Sequence, residues 1–258
     1  MTRTLKSADG STIAYETMGT GPVLITVGGA FSTRQSAGRI ASLLAANYRV
    51  YAYDRRGRGA STDTQPYAVE REIEDLAALL EAAGGSAMVY GHSSGAVLAL
   101  EAAASGLSFT KLVAYEPPYT AEQPGNPTLE GWGQSVRAAV DAGDRERAAV
   151  LFLEGTGADA AAIEGIKQLP WWPSMLAIAH TLPYDLAVVG AGYVPAERFR
   201  KITAPTLVLH GGGSPAWAGT AASVVAEAIP GARHIAIEGQ DHGIDESVLA
   251  PVLIDFFG

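Results

Sequence analysis

The residues of this chain best suited by type and setting to chemistry are a serine and the histidines. The pentapeptide Gly91-His92-Ser93-Ser94-Gly95 has the form G-x-S-x-G and stands between an apolar run, Ser86–Tyr90, and an alanine-rich segment, Gly95–Ser105. Where a strand feeds a helix through such a turn, the serine is held in a strained backbone conformation with its hydroxyl projecting above the sheet. Glycine is needed on both sides because the incoming strand and outgoing helix approach too closely for side chains. A serine so placed is a candidate nucleophile, and it needs a base to take its proton. The chain offers five histidines: His92, His180, His210, His234 and His242. Histidine titrates near neutral pH, so it can remove a proton and later return it.

A scaffold must bring such groups together, and the rest of the chain reads as one. Short apolar runs alternate with longer helical patterns, which predicts an α/β fold with a mostly parallel sheet covered by helices. Strands are expected at Thr12–Met18, Pro22–Val27, Arg49–Asp54, Ser86–Tyr90 and Lys111–Tyr115. Helices are expected near Gln35–Asn47, at Val69–Ala83 and at Gly95–Ser105. From Pro117 to about Lys201 the rhythm breaks into Pro, Gly, Trp and Ala with helical patterns and no clear strand. Alternation resumes with Pro205–Leu209, a helix near Ala216–Ile229, the strand His234–Glu238 and a last helix near Glu246–Phe257. The reading is a core formed by residues 1–116 and 202–258, with residues 117–201 inserted as a helical cap.

Two segments carry a family resemblance: the pentapeptide at 91–95, and Tyr53-Asp54-Arg55-Arg56-Gly57-Arg58-Gly59-Ala60-Ser61 after an earlier strand. With them the chain resembles the α/β-hydrolase family over nearly its whole length outside the insertion. The resemblance implies an eight-stranded-type sheet flanked by helices, Ser93 as nucleophile, and a mostly structural role for the loop at 53–61. It also implies His242, in Gly239-Gln240-Asp241-His242 directly after the last strand, as the base. The family commonly takes its acid from the loop after Pro205–Leu209. Here that loop reads His210-Gly211-Gly212-Gly213-Ser214-Pro215, with Ser214 where a carboxylate is expected. A second arrangement in the family takes the acid from the strand after the elbow helix, which points to Glu116. Asp241 and Asp245 stand as alternatives, although Asp245 is well placed to cap the final helix. For a developing oxyanion, the resemblance implies the backbone N–H groups of Ser94 and of Ala30, in Gly28-Gly29-Ala30-Phe31.

The insertion is rich in aromatics. Trp132, Trp171, Trp172, Tyr184 and Tyr193 would either line an apolar pocket or form the core of the insertion itself. His180 is either a substrate hydrogen-bonding group or a structural histidine. Phe31 and His92 complete the expected substrate-binding set.

Composition bounds the partners. With 27 acidic against 18 basic residues the 258-residue chain carries a net charge of −9, which disfavours nucleic acid and anionic membrane surfaces. The absence of cysteine removes disulfides and thiolate chemistry, and neither the histidine spacing nor Gly211-Gly212-Gly213 reads as a metal or phosphate site. No cofactor is expected. The first residues lack the apolar core of a signal peptide and no run approaches a membrane span, so the expectation is a cytoplasmic protein, monomeric or a small homo-oligomer. By resemblance the substrate would be a small, apolar ester or lactone. The rivals are a lyase or cyclase using Ser93 and His242 for proton transfer, and a protein that only binds a small apolar ligand.

Overall fold

The computed structural model describes residues 1–120 and 127–258; residues 121–126 of the expected insertion lie outside the described residues. Eight strands form one sheet in the order β1-β2-β4-β3-β5-β6-β7-β8. They are β1 (Arg3–Lys6), β2 (Thr12–Met18), β3 (Val23–Val27), β4 (Arg49–Tyr53), β5 (Ala87–His92), β6 (Phe109–Tyr115), β7 (Thr206–Gly211) and β8 (Arg233–Ile237). β2 pairs antiparallel with β1 and with β4, and every other pairing is parallel. The strand β1 has no counterpart in the sequence reading. Arg-Thr-Leu-Lys holds one apolar residue, and only its pairing of Arg3 with Tyr15 through Lys6 with Thr12 makes it a strand.

The central strands are apolar almost throughout because helices cover both faces of the sheet. Alternation within β6 shows this. Leu112 and Ala114 pack into one core with Leu76, Leu79 and Val97, from α2 (Val69–Ala82) and α3 (Ser94–Ala104). Val113 and Tyr115 pack into the opposite core with Ile40 and Leu44 of α1 (Gly38–Leu44) and Leu253 of α11 (Glu246–Phe257). Each such fully buried aliphatic side chain contributes roughly 1.5–3 kcal/mol. Helix α10 (Ala216–Ala228) joins the first of these cores through Ala221, Ala222 and Val225.

Between β6 and β7 the chain runs through α4 (Pro127–Asp141), α5 (Arg145–Gly155), α6 (Ala160–Lys167), α7 (Trp172–Ile178), α8 (Leu182–Val189) and α9 (Ala196–Phe199). Asp144 and Asp159 start α5 and α6 by accepting the N–H groups of Arg147 and Ala162. A third core, with Val136, Phe152, Trp172 and Leu182 at its centre, joins α4 to α8 and reaches Ala30 and Phe31 of the loop after β3, while Phe199 of α9 packs in the first core. The helical segment is thereby seated over the C-terminal edge of the sheet, where parallel sheets build their sites.

Candidate active site

The turn from β5 into α3 places Ser93. A Cβ on Gly91 would lie 2.6 Å from Ala96 Cα, and one on Gly95 would lie 2.3 Å from Val27 O, so neither position admits a side chain. Between them Ser93 takes φ 55° and ψ −127°. Although it is the N-cap residue of α3, its side chain makes no capping hydrogen bond, which leaves the hydroxyl for the cavity it faces. Among the described residues three non-glycine residues have positive φ: Phe31, Ser93 and Glu116. All three lie at this site, and each such conformation costs on the order of 1–3 kcal/mol.

Glu116 follows β6 directly and is 1% exposed. Its Oε2 accepts from His242 Nδ1 at 2.6 Å, while its Oε1 accepts from Gly211 N–H at 2.8 Å and from Ser214 Oγ at 2.6 Å. Burial by itself raises the carboxyl pKa, but the hydrogen bonds from His242, Ser214 and Gly211 outweigh it and hold Glu116 below its ordinary value. An ionised Glu116 fixes the His242 proton on Nδ1 and leaves Nε2 as acceptor. The imidazole is 52% exposed on the loop after β8. Among the described residues no hydrogen bond joins Ser93 Oγ to His242. In free enzymes such contacts are often loose and tighten when substrate arrives.

Asp241 and Asp245 have other partners. The Asp241 carboxylate closes a turn onto Gly243 N–H, and its carbonyl accepts from Tyr115 Oη. Asp245 caps α11 by accepting from Ser247 N–H at 2.8 Å.

Ser93 and His242 share a cavity of about 320 Å³ with Gly29, Ala30, Phe31, Ser32, His92 and Ser94. Its far wall comes from the chain between β6 and β7 and is mostly apolar, with Pro118, Trp132, Phe152, Leu153, Leu186 and Val189 beside Thr156 and Asp185. Phe31 meets Phe152 edge-on at 5.6 Å, so the loop after β3 and helix α5 close the cavity together. Gly29 is pressed against the elbow, since a Cβ there would lie 2.9 Å from Ser93 Cβ. His92 packs its ring 5.0 Å from that of His242 and 5.2 Å from that of Tyr115. Burial, and after it the charge of His242, push His92 down to about 3, so it stays neutral beside the site.

Several expected pocket residues lie elsewhere. Trp171 is 55% exposed and Tyr193 39% exposed, both outside the cavity wall. Trp172 is buried in the core of the helical segment itself. Tyr184 stacks on Tyr67 at 4.0 Å and its hydroxyl bonds Asp63 at 2.9 Å. His180 lies 3.8 Å from Asp63, away from Ser93. The faces these residues turn are set by how the helices pack on one another, so aromatic content alone does not decide between pocket and core. Phe152, Leu153, Leu186, Val189 and Asp185 are among the cavity residues that sequence reasoning missed. Ordinary helix-forming residues carry no local sign that they face a cavity.

An eight-stranded, mostly parallel sheet, a serine on a strained strand-to-helix turn, and a Glu–His pair beside it define the class of α/β hydrolases. The chain belongs to the alpha/beta hydrolase family, whose model matches residues 23–249. An alpha/beta hydrolase from Sphaerobacter thermophilus is 48% identical over 99% of this chain and 100% of its own, with a TM-score of 0.94. The enol-lactonase from Burkholderia xenovorans LB400 shares the fold at 19% identity, covering 99% of each chain, with a TM-score of 0.76. The uncharacterized hydrolase YraK of Bacillus subtilis is 35% identical over 36% of this chain, and the match spans only 35% of that protein. The chain accordingly has the fold of this family, and among its described residues no helix is long and apolar enough to cross a membrane.

Proposed function

We propose that the protein hydrolyses a small apolar carboxylic ester or lactone through an acyl-enzyme on Ser93. The observation that carries this reading is the 2.6 Å contact between a buried Glu116 and His242, in the cavity that Ser93 faces. Ser93 Oγ attacks the carbonyl carbon while His242 Nε2 takes the hydroxyl proton. The carbonyl oxygen becomes an oxyanion, and the backbone N–H groups of Ala30 and Ser94 donate to it. As the tetrahedral species collapses, the carbon–oxygen bond to the leaving group breaks and His242 returns its proton to that oxygen. Water then attacks the acyl carbon, losing a proton to His242. The second tetrahedral species collapses as the bond from the acyl carbon to Ser93 Oγ breaks, and His242 returns its proton to that oxygen, which releases the acid and restores the Ser93 hydroxyl. Glu116 holds the imidazole in the working tautomer and stabilises its cation.

The apolar wall suits an acyl group rather than a charged one. A cavity of 150 Å³ holds a benzene ring, so about 320 Å³ accommodates a short alkyl chain or a ring with a few further carbons. The helical segment acts as a cap in this reading, since it supplies that wall. The enol-lactonase and esterases among the structural neighbours act on the same class of bond.

The test is a fluorophosphonate probe with peptide mapping, alongside turnover of p-nitrophenyl esters. Labelling at Ser93 that disappears in Ser93→Ala, with turnover abolished, is the expected result. A folded wild type that is neither labelled nor active would remove the acyl-enzyme mechanism.

A further inference from the structure

Beneath the elbow lies a buried cluster of charges that the mechanism above leaves unused. Arg55, Arg58, Glu72 and Asp185 are each no more than 2% exposed, two guanidiniums against two carboxylates. Arg55 forks onto Glu72 at 2.7 and 2.6 Å and reaches Asp185 at 2.8 Å. Arg58 Nη2 donates to both oxygens of Asp185 at 2.8 Å. The two shortest of the contacts that tie this cluster to the elbow and the loop after β3 are these. Ser94 Oγ donates to Asp185 Oδ1 at 2.7 Å, and Arg58 Nη1 donates to Gly29 O at 2.6 Å.

The second contact bears on geometry. Gly29 C=O and Ala30 N–H belong to one planar trans peptide, so fixing the oxygen fixes the direction of the N–H opposite it. A charge-assisted hydrogen bond to that oxygen also polarises the peptide and strengthens its N–H as a donor. Arg55 Nη1 makes a longer contact to Gly28 O, at 3.3 Å, which steadies the preceding peptide. The Ser94 hydroxyl anchors the other donor residue to the same carboxylate.

We infer that Asp185, supplied by α8 of the inserted segment, is a positioning residue that aligns both oxyanion donors, Ala30 through Arg58 and Gly29, and Ser94 through its hydroxyl. This rests on the acyl-transfer reading of the site. An inserted helix thus completes the site from below as well as walling it from above. Misaligned donors weaken transition-state binding and leave ground-state binding of the apolar acyl group alone, so the defect belongs in kcat.

A neighbouring pair supplies the control. Asp75 is 1% exposed and accepts from Arg56 at 2.8 and 2.7 Å, yet Arg56 touches neither the elbow nor the loop after β3. Asp185→Asn, Ser94→Ala and Asp75→Asn are compared with wild type by kcat and KM on p-nitrophenyl butyrate, by affinity for a trifluoromethyl ketone, and by Tm. We expect Asp185→Asn to lose about 10–100-fold in kcat with KM within about twofold, and to bind the ketone more weakly by a similar factor. Ser94→Ala, which keeps the backbone donor, loses about 3–10-fold in kcat. Asp75→Asn lowers Tm and leaves kcat within about twofold. Should Asp185→Asn not fold, Ser94→Ala decides the matter alone. A Ser94→Ala kcat equal to wild type, or an Asp185→Asn loss no larger than that of Asp75→Asn, overturns the assignment while the hydrolase reading stands. A wild type without turnover or labelling overturns both.

Discussion

Ser214 donates its hydroxyl to Glu116 Oε1 at 2.6 Å, from the loop position where the family resemblance implies a carboxylate. A hydroxyl thus supports an acid contributed by a different strand. Under the proposed mechanism Glu116→Gln lowers kcat by about 10²–10⁴-fold, because a neutral amide neither selects the imidazole tautomer nor stabilises its cation. Adding Ser214→Asp to that variant returns at least about tenfold of the loss, since the new carboxylate enters the loop facing His242. Steady-state kinetics on one ester decide both points, and a double variant no faster than Glu116→Gln would show that the loop no longer reaches the imidazole.

The pH dependence of stability has a distinct origin in His92. Its ordinary value of 6.5 falls to about 3 in the fold, chiefly through burial. Below about 6.5 the unfolded chain binds a proton that the folded chain refuses until about 3, so stability is full above that window and declines through it as pH falls. Glu116, held below its ordinary 4.5, adds to the loss only at lower pH. Thermal melts between pH 8 and 5 should therefore slope more gently in His92→Asn than in wild type. Parallel slopes would assign the acid limb to His180 and His234, which burial also depresses.

Phe152 stands at the junction of cavity and insertion, 9% exposed and in edge contact with Phe31. Phe152→Ala should cost about 3–5 kcal/mol of stability and enlarge the apolar wall. The specificity constants across a series of p-nitrophenyl esters should then shift toward longer acyl chains. An unchanged chain-length profile would place the acyl group elsewhere.

Asp245 offers a stability test at a residue outside the Ser93, His242 and Glu116 set. Its side chain accepts from both the N–H and the hydroxyl of Ser247 at the start of α11. Asp245→Ala should destabilise the protein by about 1 kcal/mol, measured by urea unfolding with an unchanged m-value.

Much of this molecule is legible in the sequence, for causes that are local. The strand β2 and the helix α11 appear at the expected residues because apolar periodicity and the Asp245 cap reside in neighbouring residues. The elbow is equally local, since Gly91 and Gly95 are required by the close approach of two consecutive elements. The tertiary structure decided what depends on distant segments meeting. It made β1 a strand by pairing it with β2, set Glu116 rather than Asp241 or Asp245 against His242, and turned Phe152 and Leu186 inward while leaving Trp171 in solvent. It also buried Arg55 and Arg58 of a loop read as structural against Asp185, 130 and 127 residues away along the chain. A residue's periodicity states which helix face it occupies. Only the packing of helix on helix and helix on sheet states what that face meets.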